Sequence, residues 1–282
     1  MQHRSMASPR CITRPDAVPV KFIHITDLHL VAPGEMLWGL DPLARLDACL
    51  ADIAAYHGDA AFCVITGDLA ERGEAAAYGA LQDRLKRFAL RTHLLLGNHD
   101  DRETFRAVFG GEGFVQEAFT RDGRHFICLD TLKGPPSSAG LYDAPRRRWL
   151  IDTLAKAHGA EICLFMHHPP FDIVHPLMDL IKLDDAEGFA GLLAGHNIRH
   201  IFFGHAHRPL SGQWRGIGFS SLPGMNHQLP LVGQSLPTVY SVEPPMYGVV
   251  HIEEDRVIVH SDAFMNRARA NMPEDAERGD WY

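Results

Sequence analysis

The sequence predicts an α/β fold of mixed α+β character, and three observations carry that expectation. Short apolar runs rich in β-branched and aromatic residues alternate with stretches of helical periodicity between residues 20 and 203. Glycine, asparagine, aspartate and histidine stand directly after several of the apolar runs, where a strand gives way to a turn. The last part turns β-rich, with an acidic turn at Glu253, Glu254 and Asp255 between two apolar runs. Alternating strands and helices imply a parallel core, to which later hairpins add antiparallel strands.

Taken in order, residues 1–19 form a polar leader with Arg4, Arg10 and Arg14, expected to be disordered, and Met6 could be the true start. A β-rich run at 20–26 opens the core, a helical pattern follows over 43–56, and an apolar strand spans 61–66. The apolar positions of 75–88 recur at helical spacing, and 93–96 is the next strand. A helix is expected at 102–109, strands at 113–120 and 125–129, and a loop at 134–140, where two prolines and two serines lie. Helices at 146–157 and 185–194 and strands at 162–166 and 198–203 complete the alternation, and a hairpin occupies 247–261. No internal repeat is visible.

With 282 residues and 46% hydrophobic content, the chain can bury one large core, placed at 20–265 with a polar tail at 266–282. A net charge of −8 argues against a nucleic-acid-coating surface, so no nucleic-acid polymer is expected and the partner should be a small molecule. Cys11, Cys49, Cys63, Cys128 and Cys163 form no CxxC pair, and Cys63, Cys128 and Cys163 sit in apolar runs as small hydrophobes. That favours a reducing compartment and no disulfide framework. The first eighteen residues lack a signal-peptide core and no run approaches the roughly 20 apolar residues of a membrane span. The expected location is cytoplasmic. The late β-rich segment could support a homo-oligomer.

Five strand-terminal segments carry the chemistry. Asp27 and His29 stand two apart, so an extended strand end would project both to one side to share an ion; an exposed Asp beside a capping His is the alternative. Gly67-Asp68 supplies a carboxylate able to bridge two cations, although most such pairs are ordinary turns. Gly97-Asn98-His99-Asp100 is more specific, offering an amide oxygen and an imidazole, with a hairpin turn as the alternative. Asp100 is expected to orient His99 or cap the next helix. His167 and His168 should diverge, so that only His167 faces the metals while His168 stabilises the loop or touches substrate; a buried structural histidine is the competing reading. His205 and His207 repeat the two-apart spacing, with a surface histidine cluster as the alternative.

Eighteen histidines make single pairs unremarkable, but chance explains poorly five such sets that all end strands. Together they provide donors for two metal ions, a device for activating water against a phosphate ester. In open α/β sheets the ligand crevice lies at the carboxyl ends of strands, so these loops should converge on one rim. Gly-x-Ser-x-Gly and Gly-x-x-x-x-Gly-Lys-Ser/Thr are both absent, so no serine sits in a nucleophile elbow and an NTP-driven motor is not expected.

In these blocks, D-x-H, G-D, G-N-H-D, H-x-P and G-H-x-H in order from Asp27 to His207, the chain resembles the calcineurin-like metallophosphoesterase superfamily. His167-His168-Pro169-Pro170, the Asp130, Gly140-Leu141, Trp149-Leu150 pattern and Glu243-Pro244-Pro245-Met246-Tyr247 resemble its class III cyclic-nucleotide and glycerophosphodiester branch. The resemblance implies a four-layer α/β/β/α sandwich with mixed sheets. It implies that Asp27, His29, Asp68 and His207 hold one ion, that Asp68 bridges, and that Asn98, His167 and His205 complete the second. His99 would be a catalytic, non-ligand histidine on the leaving-group side. The ions would come from Fe, Mn, Zn or Co, a range the mixed oxygen and nitrogen donors fit. The implied reaction is hydrolysis of a small phosphodiester by a hydroxide bridging the ions, with inversion at phosphorus. The rivals are a phosphomonoesterase or protein phosphatase on the same metals and a non-catalytic scaffold. The loops at 134–140 and 224–236 are candidates for the pocket wall.

Overall fold

The computed structural model describes residues 18–231 and 240–265. Most of the leader, the 266–282 tail and the end of the 224–236 loop lie outside these residues. The first half of the chain builds a sheet from β1 (Val20–Ile25), β2 (Cys63–Thr66) and β3 (Thr92–Leu95), with α1 (Pro42–Tyr56), α2 (Ala75–Leu85) and α3 (Arg102–Phe109) between or after them. The second sheet takes β4 (Glu117–Arg121), β5 (Arg124–Cys128), β6 (Ile162–Met166), β7 (Ile198–Phe203), β8 (Leu210–Trp214) and β9 (Ile217–Ser221). Helices α4 (Ala144–Lys156) and α5 (Ala186–Leu193) cover it, and the chain returns to the first sheet through β10 (Met246–Ile252) and β11 (Val257–Ala263).

Both sheets are mixed. The first has the order β11-β10-β1-β2-β3, with β1, β2 and β3 parallel and β10 antiparallel to β1. The second has the order β4-β5-β6-β7-β9-β8, parallel from β5 through β9 with antiparallel edges.

Side-chain alternation along the strands makes the layers. On β1, Ile23 and Ile25 point to the helices and pack with Leu46, Ile53, Tyr78 and Phe105, while Phe22 points to the other sheet. On β6, Ile162, Leu164 and Met166 face α4 and α5, while Cys163 and Phe165 face inward. The result is the expected α/β/β/α sandwich. Its middle is an aromatic layer: Phe22 stacks on Phe62 at 4.9 Å and meets Phe165 and Phe202 edge-on. The helix starts are fixed by Asp41, Asp101 and Asp143, whose carboxylates accept from backbone N–H groups of the first turns of α1, α3 and α4.

Three elements depart from the sequence reading. The run at 113–120 pairs only from Glu117 onward: Arg106 binds the Gly113 and Phe114 carbonyls, and Val115 N–H donates to the Asp130 carboxylate. Those backbone groups are spent on side chains and have nothing left for a ladder. Helix α2 stops at Leu85, and Arg87 and Phe88 bond three residues back in a tightened last turn. The hairpin of β8 and β9 went unread because its strands mix Gly212, Gln213 and Gly218 with the apolar residues; Arg215 and Gly216 turn it with φ of 51° and 81°.

Candidate metal centre

The five predicted segments meet on one rim. Asp27 N–H donates to the Gly67 carbonyl and His29 N–H to the Asp68 carbonyl, which lashes the loop after β1 to the loop after β2. His205 N–H donates to Asp27 Oδ1 across the two sheets, and His99 N–H to Asp68 Oδ1. Asp27, His29, Asp68, His167, His205 and His207 are all buried; Asn98 and His99 are partly exposed at the mouth.

The backbone gets these side chains inward in a way the sequence reading did not foresee. Asp27 and His29 do share a site, but not as an extended strand end: their φ angles are 54° and 46°. Asp68, His205 and His207 are also left-handed, at 48°, 65° and 48°. Such residues cost roughly 1–3 kcal/mol each and persist only where the surroundings dictate them. Glycines make the close approach possible. A Cβ on Gly67 would lie 2.5 Å from His167 Nδ1, and one on Gly97 would collide with Asp68 Oδ1.

The ligand atoms of Asp27, His29, Asp68 and His207 lie within 4.8 Å of one another, as do those of His167, His168 and His205. Asp68 stands between the sets, its Oδ2 at 3.5 Å from His29 Nε2 and 3.4 Å from His167 Nε2. Asn98 Oδ1 is 3.3 Å from the same His167 Nε2, and Asp27 Oδ1 is 3.4 Å from His207 Nε2. Each ring is held from behind. His29 Nδ1 donates to Glu71 at 2.6 Å, His167 Nδ1 to the Thr66 carbonyl at 2.7 Å, and His207 Nδ1 to the His227 carbonyl at 2.8 Å. Their Nε2 atoms are thereby aimed inward, the arrangement a metal ligand needs. His205 is anchored through Nε2 to the Ile181 carbonyl at 3.1 Å, which leaves Nδ1 as its free nitrogen.

The electrostatics fit cations. His29 Nε2 and His207 Nε2 lie 3.1 Å apart while each Nδ1 faces an oxygen acceptor, so with both rings neutral two lone pairs face each other. A shared cation relieves that opposition. Burial holds His29 and His205 well below the ordinary histidine range, against the pull of Asp68, which keeps them as neutral donors. Burial also works against the Asp68 charge, yet His167 and His99 hold its carboxyl well below the usual range. His167 is raised to about 9, since the attraction of Asp68 outweighs burial. Two buried carboxylates, balanced by the proton on His167, and several inward-facing imidazole nitrogens make a site in which a divalent ion can take the place of that proton.

His99 takes a different place. Its Nδ1 donates to the Glu71 carbonyl at 3.0 Å, and its side chain remains 37% exposed on the wall of a cavity of about 330 Å³. Burial opposes its charge, but Asp68 and Glu71 raise its pKa above the ordinary value. The cavity also receives Ser138 from the 134–140 loop and His227 and Leu229 from the 224–236 loop.

Two expectations need correction. Asp100 neither orients His99 nor caps α3. Its carboxylate accepts from Leu69, Ala70 and Gly97 N–H and from the Tyr78 hydroxyl, tying the two loops together, and Asp101 supplies the cap. His168 does not diverge from the site: its ring lies 4.7 Å from that of His205, with Nδ1 sharing a 2.8 Å hydrogen bond with Thr131. Glu71 and His227 were missed. Glu71 belongs to no motif, and His227 lies in an irregular segment; only folding brings its ring to 4.4 Å from that of His207.

A profile described as calcineurin-like phosphoesterase matches residues 20–209. The chain belongs to the calcineurin-like phosphoesterase family. Within the family, it is 40% identical over 257 residues to a probable cyclic nucleotide phosphodiesterase of Rhodopseudomonas palustris, covering 87% of this chain and 93% of that one. It is 33% identical over 218 residues to a cAMP/cGMP dual specificity phosphodiesterase of Mycobacterium tuberculosis, covering 73% and 67%. Among solved structures it resembles GAP50, the anchor in the inner membrane complex of Plasmodium, with a TM-score of 0.58 and 11% identity over 88% of this chain and 85% of that one, a likeness of fold alone. The family and the buried His/Asp clusters together imply bound metal ions. No helix among the described residues is long and apolar enough to cross a membrane.

Proposed function

We propose that this chain hydrolyses a small phosphodiester, a 3′,5′-cyclic nucleotide before a glycerophosphodiester, with two metal ions. The observation that carries this reading is the convergence of five strand-end loops on two sets of buried donors with Asp68 between them, beneath a cavity open to small molecules. The names of the family relatives favour the cyclic nucleotide.

Asp27, His29, Asp68 and His207 would hold one ion, and Asp68, Asn98, His167 and His205 the other. Iron, manganese, zinc and cobalt all suit this donor set. When bound, the pair supplies Lewis-acid stabilisation of phosphoryl oxygens and lowers the pKa of water. The chain's own residues do the rest. Glu71, the Thr66 carbonyl and the His227 carbonyl keep the three rings from turning. A water-derived oxygen attacks phosphorus in line and one ester P–O bond breaks. His99, its Nδ1 engaged by Glu71, hands a proton from Nε2 to the departing alkoxide. For a cyclic nucleotide that is the 3′ oxygen, and the product is a 5′-nucleotide.

The test is hydrolysis of bis-p-nitrophenyl phosphate, 3′,5′-cAMP, 2′,3′-cAMP and glycerophosphocholine by metal-reconstituted protein, with Asn98→Ala as control. Turnover of diesters that disappears in the variant is the expected outcome. Turnover of monoesters alone would move the reading to a phosphatase, and silence with both metals bound would favour a scaffold.

A further inference from the structure

One wall of the cavity is aromatic and lies beyond the metal-binding donors. Trp38 and Tyr240 stack at 4.3 Å with their planes 24° apart, and both line the cavity. They come from distant parts of the chain, yet keep 48% and 47% of their surface exposed. Half-exposed tryptophan and tyrosine held as one flat, packed pair at a cavity wall are placed to receive another ring. His227 links this pair to the donors: its ring is 4.1 Å from that of Trp38 and 4.6 Å from that of His29. Its Nδ1 is buried without a hydrogen-bond partner. Moving outward from the metal-binding end, a ligand meets polar donors, then a histidine with an unused ring nitrogen, then a flat aromatic face.

We infer that Trp38 and Tyr240 form a stacking shelf for the nucleobase of the substrate, which makes a base-bearing diester the preferred substrate over an aliphatic one. The inference rests on the phosphodiesterase reading of the donor end, where the phosphate of the same molecule would sit. A quaternary ammonium is the other ligand that aromatic rings favour, but it needs a box of rings around a gap. Trp38 and Tyr240 are in contact and nearly parallel, leaving a face and no gap. Stacking reads a π-face without reading base edges, so the shelf favours possession of a base over its identity.

The experiment uses metal-reconstituted protein, Trp38→Ala, Tyr240→Ala and Trp38→Phe. Kinetically, the ratio of kcat/KM for 3′,5′-cAMP to that for glycerophosphoglycerol is expected to fall roughly 5- to 150-fold in the alanine variants, the worth of one base stacked on an aromatic ring. Trp38→Phe, which keeps a ring, should recover most of the ratio. An unchanged ratio, whether because neither rate moves or because both fall together, overturns the shelf. A preference for glycerophosphocholine over glycerophosphoglycerol that Trp38→Ala removes, with the cAMP ratio unmoved, overturns it in favour of a choline site. By calorimetry, wild type should bind 5′-AMP more tightly than ribose 5-phosphate, and the alanine variants should lose that advantage by a similar factor. If wild type hydrolyses no diester, the phosphodiesterase reading fails; the calorimetric advantage then upholds the shelf if present and overturns it if absent.

Discussion

His99 occupies a position its neighbours do not share. Asn98 and the buried histidines turn their donors toward each other, but His99 commits Nδ1 to the Glu71 carbonyl and stands on the cavity wall with a raised pKa. A proton donor to a leaving group needs that combination of access and retained proton. His99→Ala is expected to keep its metal content and lose about 10²- to 10⁴-fold in kcat on alkyl diesters, with a smaller loss on p-nitrophenyl diesters, whose leaving group needs little help. Metal analysis and kcat on the two substrate types check this. Equal losses on both would remove the acid role.

At the scale of elements, the site is made by turns. Each parallel strand delivers its loop to the same rim, and left-handed residues bend those loops inward. The approach is so close that the loop after β7 has room only for hydrogen at position 204. A Cβ there would overlap Thr26 Oγ1 and lie 2.9 Å from the Thr66 carbonyl and 3.1 Å from Asp27 Oδ2. Gly204→Ala should therefore displace Asp27 and the 205–207 turn. Overpacking of this kind costs about 1–3 kcal/mol in stability. The expected result is a folded protein with under half the wild-type metal content and at least 100-fold less activity, read by metal analysis and a diester assay. Full metal content would show that the loop yields without disturbing the donors.

Across the whole molecule, the packing between the sheets adds an acid-sensitive contribution to stability. His24 on β1 and His200 on β7 are buried, with Phe202 against both rings and hydrogen bonds to Thr66 at 2.8 Å and Ser220 at 2.9 Å. Burial lowers His24 to about 3, helped by His200, and lowers His200 to about 4, helped by Arg199. The unfolded chain protonates these groups near 6.5 and the native chain does not, so the unfolded state gains protons first as pH falls. The contribution of these two histidines to stability is full above about 6.5 and declines below it, by about 1.4 kcal/mol per pH unit for each, down to the native values. Urea midpoints between pH 7.5 and 4.5 should follow this decline, and His200→Gln should reduce the slope by about one proton. An unchanged slope in that variant would place the acid sensitivity elsewhere.

The sequence by itself determined the alternation of elements and the donors at the strand ends. Apolar periodicity and turn residues are local properties, and the blocks from Asp27 to His207 each lie within a few consecutive residues. Where backbone groups bond to distant side chains, as Val115 does to Asp130, local pattern misleads, and where strands are diluted with glycine, as in β8 and β9, it falls silent. Only the tertiary structure decided how the donors are aimed. Glu71 holds His29 from 42 residues away, Thr66 holds His167 from 101 away, and the stacked pair of Trp38 and Tyr240 exists only once both ends of the fold have closed on the cavity. Ring orientation, lone-pair direction and the shape of a pocket depend on contacts between segments, and no local spacing encodes them.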